Sequence, residues 1–211
     1  MKILFYGDSI TDAGRDREND YTPEAYGGGY VKYVVEKLSK NSAYDMINRG
    51  ISGNRIVDLY ARIKVDCWNH TPDVLSILIG VNDVWHEIDN KNGVEIDRFE
   101  KVYRMLIEDT KAKLPNVKIL LCEPFVLPGT ATSYTEEVWK RFKAVYEYAA
   151  VVKKLAEEYG LYFLPLQEML TNAAKQEGDA YYLTDGVHPA EGGAKLIANA
   201  WVSVFQKQII K

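Results

Sequence analysis

"KILFYGDSI" (residues 2–10) runs Ile-Leu-Phe-Tyr straight into Gly7, Asp8 and Ser9. An unbroken apolar run, rather than an alternating one, marks a strand covered on both faces, as in a parallel sheet. Four later runs also read as strands, most of them nearly continuous in the same way: "YDMINRG" (44–50), "DVLSILIG" (73–80), "VKILLCEPF" (117–125) and "LYFLPL" (161–166). Helical periodicity fills the gaps. "YVKYVVEKLSK" (30–40) lines up Tyr30, Val34, Val35 and Leu38, and "RIVDLYARI" (55–63) lines up Ile56, Leu59, Tyr60 and Ile63. Longer helices are expected within 95–114, 136–159 and 191–208. Strand–helix alternation along the whole chain means βαβ units with right-handed crossovers, hence a three-layer α/β domain with a parallel sheet. One domain over 1–211 is expected from the length. Two stretches lack regularity, 10–29 and 124–135, and a long loop in a compact domain is usually functional or mobile.

Composition narrows the function classes. With 47% hydrophobic and 27% charged residues and a formal net charge of −4, the chain is an ordinary globular one. It offers no electrostatic reason to bind nucleic acid or an anionic membrane. No apolar run is long enough for a membrane span, and the first run gives way at Gly7-Asp8, too soon for a secretory signal. Cys67 and Cys122 are far apart, and Cys122 sits inside a strand-like run. Two free core thiols suit a reducing cytoplasm.

In open α/β sheets, ligands bind beyond the carboxyl ends of the strands, so the residues following each run carry the functional question. Ser9 follows the first. "GISGN", with Gly53, follows the second, and "GVND", with Asn82, the third. "TDGVHP" supplies Asp185 and His188 just before the last helix. Each has a structural alternative: Ser9 as a helix cap, Gly53 as a loop glycine, Asn82 as a helix start, Asp185-Gly186 as a turn.

Together they form a chemical set. A serine hydroxyl needs a base, usually histidine, and the base needs a carboxylate to fix its tautomer. Asp185 and His188 are three residues apart, so one turn of chain can join them. Pro189 disfavours the α conformation at His188 and suits the first turn of the following helix, which leaves His188 on a loop. Gly53 permits close backbone approach for an N–H donor, Asn82 offers its amide, and the Ser9 N–H makes a third oxyanion donor.

"GDSIT", "GISGN", "GVND" and "DGVHP" resemble, in order, the four blocks of the SGNH hydrolases, also called the GDSL-type esterase/lipase family. The resemblance implies a flavodoxin-like sheet of five parallel strands in the order 2-1-3-4-5. It implies Ser9 as nucleophile, Gly53 and Asn82 as oxyanion donors, His188 as base and Asp185 as its partner. The longer words "GDSITDAGR", "GGGYVKYV", "NRGISGNRIVDL" and "GVNDVW" are most similar to the bacterial intracellular acetylxylan esterases of that family. That likeness implies a carbohydrate acetylesterase acting on acetylated xylo-oligosaccharides, and a homo-oligomer. Same-mechanism alternatives are a general short-chain esterase, a thioesterase or a lysophospholipase. The alternative from another class is a catalytically silent binding module.

Several other residues have competing readings. Asp8 is expected to bind backbone N–H groups in its own turn, and Asp12 to cap the helix after Ser9. Trp85, His86, Tyr26 and Phe125 are candidates for the substrate pocket, with ordinary packing as the alternative for each. "GGG" (27–29) fits no phosphate-binding consensus and reads as a flexible lead into the next helix. The three histidines, His70, His86 and His188, show no metal-ligand spacing, so no metal or other cofactor is expected.

Overall fold

The computed structural model describes residues 1–40 and 43–211. In chain order its elements are β1 (Lys2–Gly7), α1 (Ser9–Asp12), α2 (Tyr30–Leu38), β2 (Asp45–Gly50), α3 (Ile56–Asp66), β3 (Val74–Leu78), α4 (Val81–Asn90) and α5 (Ile96–Lys113). They continue with β4 (Lys118–Cys122), α6 (Glu136–Phe142), α7 (Val145–Tyr159), β5 (Tyr162–Leu164), α8 (Gln167–Glu177), α9 (Asp179–Tyr182) and α10 (Glu191–Val204). All five strands pair in parallel, in the order β2-β1-β3-β4-β5. Both the strand count and the order agree with expectation.

The layering follows from the order. The chain steps one way from β1 to β2, then reverses and moves steadily from β2 through β3 and β4 to β5. Right-handed crossovers therefore put α2 on one face and α3, α5 and α7 on the other. The contacts agree: α3 packs on α5, α5 on α7, and α10 returns to lie against α2.

Burial explains why the strand runs are continuous. Ile3, Leu4, Phe5 and Tyr6 have no exposed surface, and all of β3 is buried. The polar residue within β3, Ser76, is satisfied from above: its Oγ accepts the Trp201 indole N–H at 2.9 Å. Trp201 lies against Phe5 at 5.1 Å and stacks on Phe205 at 5.2 Å between ring centres, joining α10 to the sheet.

Three features differ from the sequence reading. The expected 136–159 helix is two helices, because around Lys143 and Ala144 the bonds shorten to a three-residue span (Ala144 N–H to Arg141 O, Tyr146 N–H to Lys143 O). No Gly or Pro marks that joint. β5 covers only Tyr162–Leu164, since Pro165 has no N–H with which to continue the ladder. Helices α8 and α9 were not anticipated as elements, and α4 only as the structural alternative at Asn82.

Trp201 generates a stability prediction. Trp201→Ala opens a cavity beneath α10 and removes the indole N–H that Ser76 Oγ accepts. Urea unfolding followed by circular dichroism should show a loss of about 3–5 kcal/mol.

Candidate active site

The register of β1 organises the site. Gly7 lies opposite Gly50 of β2 and Leu78 of β3, so three strand ends stand level. Ser9, Gly53 and Asn82 come two, three and four residues later, which brings them to one edge of the sheet. Gly7 is required there: a Cβ would lie 2.4 Å from the Leu78 carbonyl oxygen and 2.5 Å from Thr11 Oγ1.

Directly after Gly7 the chain turns into α1. Asp8 is its cap, its Oδ1 accepting the Ile10 N–H at 2.9 Å, so Ser9 is the first helical residue and not the cap. Asp12 is not a cap, contrary to expectation. It ends α1, and its buried carboxylate accepts the Ser52 N–H at 2.9 Å, the Arg15 N–H at 3.2 Å and the Arg17 guanidinium. In this way α1 holds the "GISGN" loop. Within that loop Gly53 has a φ of +81° and nothing within 4 Å of a Cβ position. Its glycine is therefore demanded by backbone handedness and not by close approach.

Across the cleft, Ser9 Oγ lies 2.9 Å from His188 Nε2, and His188 Nδ1 lies 2.7 Å from Asp185 Oδ2. The other carboxylate oxygen, Asp185 Oδ1, accepts the backbone N–H groups of Val187 (2.9 Å) and His188 (2.8 Å). Thr184 N–H to His188 O (2.8 Å) closes the turn. The irregular 124–135 segment braces it from outside, through Leu127 N–H to Gly186 O and Ala131 N–H to Asp185 O. Burial acts to raise the Asp185 carboxyl, but the bonds from the His188 N–H, its ring and the Val187 N–H outweigh it and hold the group below the usual carboxylate range. An ionised carboxylate on Nδ1 leaves Nε2 as the acceptor facing Ser9.

Asn82 Nδ2 gives one hydrogen to Asn54 O at 3.1 Å and keeps the other. Among the described residues, neither the Ser9 nor the Gly53 N–H is used in a backbone hydrogen bond. The arrangement therefore sets the Ser9 hydroxyl against a histidine nitrogen in a cleft shared with Gly53 and Asn82.

Two clefts flank Ser9. One, of about 440 Å³, is lined by Asp12, Gly14, Arg15, Arg17 and Ser52. The other, of about 230 Å³, contains Gly53, Asn82, Trp85, His86 and Asp89. Trp85 and His86 thus line a cleft that also contains Ser9 and His188. The Trp85 ring is held edge-on to Phe142 at 5.6 Å and lies 5.9 Å from the His188 ring. Burial, reinforced by Arg55, keeps the His86 imidazole below its ordinary pKa, so it is neutral at pH 7.

Tyr26 and Phe125 do not line either cleft. Phe125 is wholly buried in the core beyond β4. Tyr26 ends a 3-10 turn (Pro23–Tyr26) lying on β2, where its carbonyl accepts the Asn48 amide at 3.2 Å. A separate cavity of about 410 Å³ by α4, α6 and α7 reaches Asp83 but neither Ser9 nor His188.

Two buried carboxylates beside the site were not read from the sequence as titrating groups. Asp83 is fully buried and accepts the Ile56 N–H with both oxygens (3.0 and 3.3 Å), and burial pushes it well above the usual range. Asp8 is 1% exposed and has no partner for Oδ2 among the described residues. Burial pushes its carboxyl up to about 7, against the opposing pull of the Ile10 N–H and the His188 charge. A carboxyl raised by folding favours the native state fully below its unfolded pKa near 4. That advantage is lost as pH rises toward 7.

Asp8→Asn keeps the capping oxygen and removes this titration. Relative to the parent, the variant should gain stability between pH 4 and pH 8, by of the order of 4 kcal/mol at the upper end. Denaturant unfolding at both pH values measures the difference, and a pH-independent difference would refute it.

Comparison with known proteins places the chain. Residues 5–196 match the model of the GDSL-like Lipase/Acylhydrolase family. An acetylxylan esterase from Geobacillus stearothermophilus is 37% identical over 210 residues, covering 95% of this chain and 92% of that protein. A crystal structure of a GDSL-like protein from Parabacteroides merdae superposes with a TM-score of 0.90 at 40% identity, over 97% of this chain and 95% of its own. A catalytic serine-to-alanine mutant of Axe2, the Geobacillus acetylxylan esterase, gives a TM-score of 0.83 at 35% identity, covering 96% of this chain and 92% of its own. Further catalytic mutants of Axe2 replace an aspartate and a histidine. The chain belongs to the GDSL-like lipase/acylhydrolase family and is a carboxylic ester hydrolase.

Proposed function

We propose that this protein removes O-acetyl groups from xylo-oligosaccharides by a serine-dependent, acyl-enzyme mechanism. The observation that carries the reading is the continuous relay Ser9 Oγ–His188 Nε2–His188 Nδ1–Asp185 Oδ2, with both links under 3 Å. It is supported by the likeness to an acetylxylan esterase whose catalytic mutants alter the same three residue types.

Each step uses a group already in place. Ser9 Oγ attacks the acetyl carbonyl carbon while His188 Nε2 takes its proton. Asp185 stabilises the imidazolium that forms. The carbonyl oxygen, now an oxyanion, receives hydrogens from the Ser9 and Gly53 N–H groups and from Asn82 Nδ2. Collapse breaks the bond to the sugar oxygen, which leaves with the proton from His188. Water, deprotonated by the same imidazole, then attacks the acetyl-serine and releases acetate.

The shapes beside Ser9 favour a small acyl group and a polar alcohol. The cleft holding the oxyanion donors is the smaller of the two and is bounded by the Trp85 ring. The larger is lined by charged and hydroxyl side chains, which suit sugar hydroxyls better than a lipid tail. A cytoplasmic location belongs to the same proposal, supported by two buried unpaired thiols, Cys67 and Cys122. So does homo-oligomerisation, which sedimentation measures directly.

Ser9→Ala should lower kcat by on the order of 10⁴-fold or more, and Asn82→Ala by about 10²–10³-fold, on an acetyl ester. Mass spectrometry should show acetylated xylo-oligosaccharides losing acetyl groups, and acetyl esters should outpace octanoyl esters. Undiminished turnover by Ser9→Ala would end the serine mechanism. Intact acetylation alongside cleavage of longer acyl esters would end the substrate assignment.

A further inference from the structure

Arg62, on α3, makes contacts that the relay does not explain. Its side chain is 13% exposed, and its guanidinium carbon lies over the Tyr6 ring, 4.4 Å from the centroid. From there it donates to four acceptors. Nη2 reaches Gly7 O at 3.1 Å, at the end of β1 and two residues before the nucleophile. Nη1 reaches Arg49 O at 2.9 Å, near the end of β2, and Asp66 Oδ2 at 2.8 Å, one helical turn along α3. Nε reaches Asn54 Oδ1 at 2.7 Å. Asn54 follows Gly53 directly, and its carbonyl receives the Asn82 amide.

One planar group thus touches the nucleophile strand, the neighbouring strand and the loop that carries an oxyanion donor. Through Asn54 it is linked to a second donor. We propose that Arg62 is a positioning residue that sets the spacing between Ser9 and the Gly53–Asn82 donor pair, an inference that rests on the oxyanion assignment made above.

The chemistry of the side chain fits this role. A guanidinium presents five N–H donors in a rigid fork and stays charged, so it can hold several carbonyls at fixed mutual angles. Lysine would supply a point charge on a flexible stem and could not span β1, β2 and the loop together. The aromatic face beneath removes the remaining freedom of the guanidinium plane. Donors help only when they are already aimed at the developing oxyanion, so a displaced loop costs turnover and not ground-state binding.

The test is kinetic. Arg62→Met should lower kcat by about 100-fold, the scale of a loop displaced by about 1 Å, with KM within about twofold of the parent. The inhibition constant for an alkylboronic acid, which forms a tetrahedral adduct on serine, should rise in step with the fall in kcat. Arg62→Lys should fall between parent and Arg62→Met.

In an Asn82→Ala background, Arg62→Met should cost less than about tenfold, because the donor it positions is gone. Asn54→Ala cuts only the loop contact and leaves Gly7, Arg49 and Asp66 in place. It carries the test if Arg62→Met does not fold, and its loss should be coupled to Asn82→Ala in the same way. Fully additive losses, or a fall in melting temperature with kcat and boronate affinity unchanged, would overturn the proposal. Undiminished kcat in Asn82→Ala alone would instead remove the oxyanion assignment, and this inference with it.

Discussion

The pairing of β1 with both of its neighbours is the constraint on which the rest depends. Because the chain reverses direction at β1, the connections that leave its end and that of β3 depart to opposite faces of the sheet. A crevice opens between them. Gly7, Gly50 and Leu78 stand level at its floor, so short extensions of the backbone suffice to bring a hydroxyl, a loop N–H and a side-chain amide together. A one-residue slip of β1 would turn Phe5 and Tyr6 to the wrong faces and move Ser9 by a full residue. The core that prevents the slip therefore also sets the geometry of the proposed site.

Electrostatics divides the acids around this crevice into two kinds. Asp185 receives two backbone N–H groups and an imidazole and is held ionised, below the usual range. Asp8 and Asp83 lie in the interior with fewer donors, and burial raises both. The separation has a chemical use. In the proposed mechanism the charge on Asp185 stabilises the imidazolium, whereas burial disfavours the charged forms of Asp8 and Asp83 and so limits further negative charge in this part of the molecule. Environment, not residue type, assigns these roles.

Support for the site comes from groups away from the reacting atoms. Asp12 and Arg62 both hold the "GISGN" loop, one through Ser52 and the other through Asn54. The 124–135 segment steadies the Asp185 turn through Leu127 and Ala131. Loops that carry catalytic groups need such bracing, because an unbraced loop would spread its donors over many positions and lose most of their effect.

Much was legible in the sequence because it depended on local order. Mostly apolar runs pointed to a sheet covered on both faces, the words after the first three pointed to Ser9, Gly53 and Asn82, and the turn before the last helix pointed to Asp185 and His188. Relations between distant segments were not legible. Phe125 and Trp85 are both aromatic residues just past a strand, yet one is buried and the other faces His188. The joint at Lys143 carried no breaker residue, and Arg62 looked like any charged residue on a helix. The difference is physical: periodicity and turn chemistry act between neighbours along the chain. Burial, carboxyl ionisation and the grip of Arg62 on two strand ends and a loop exist only once segments far apart in sequence have packed together.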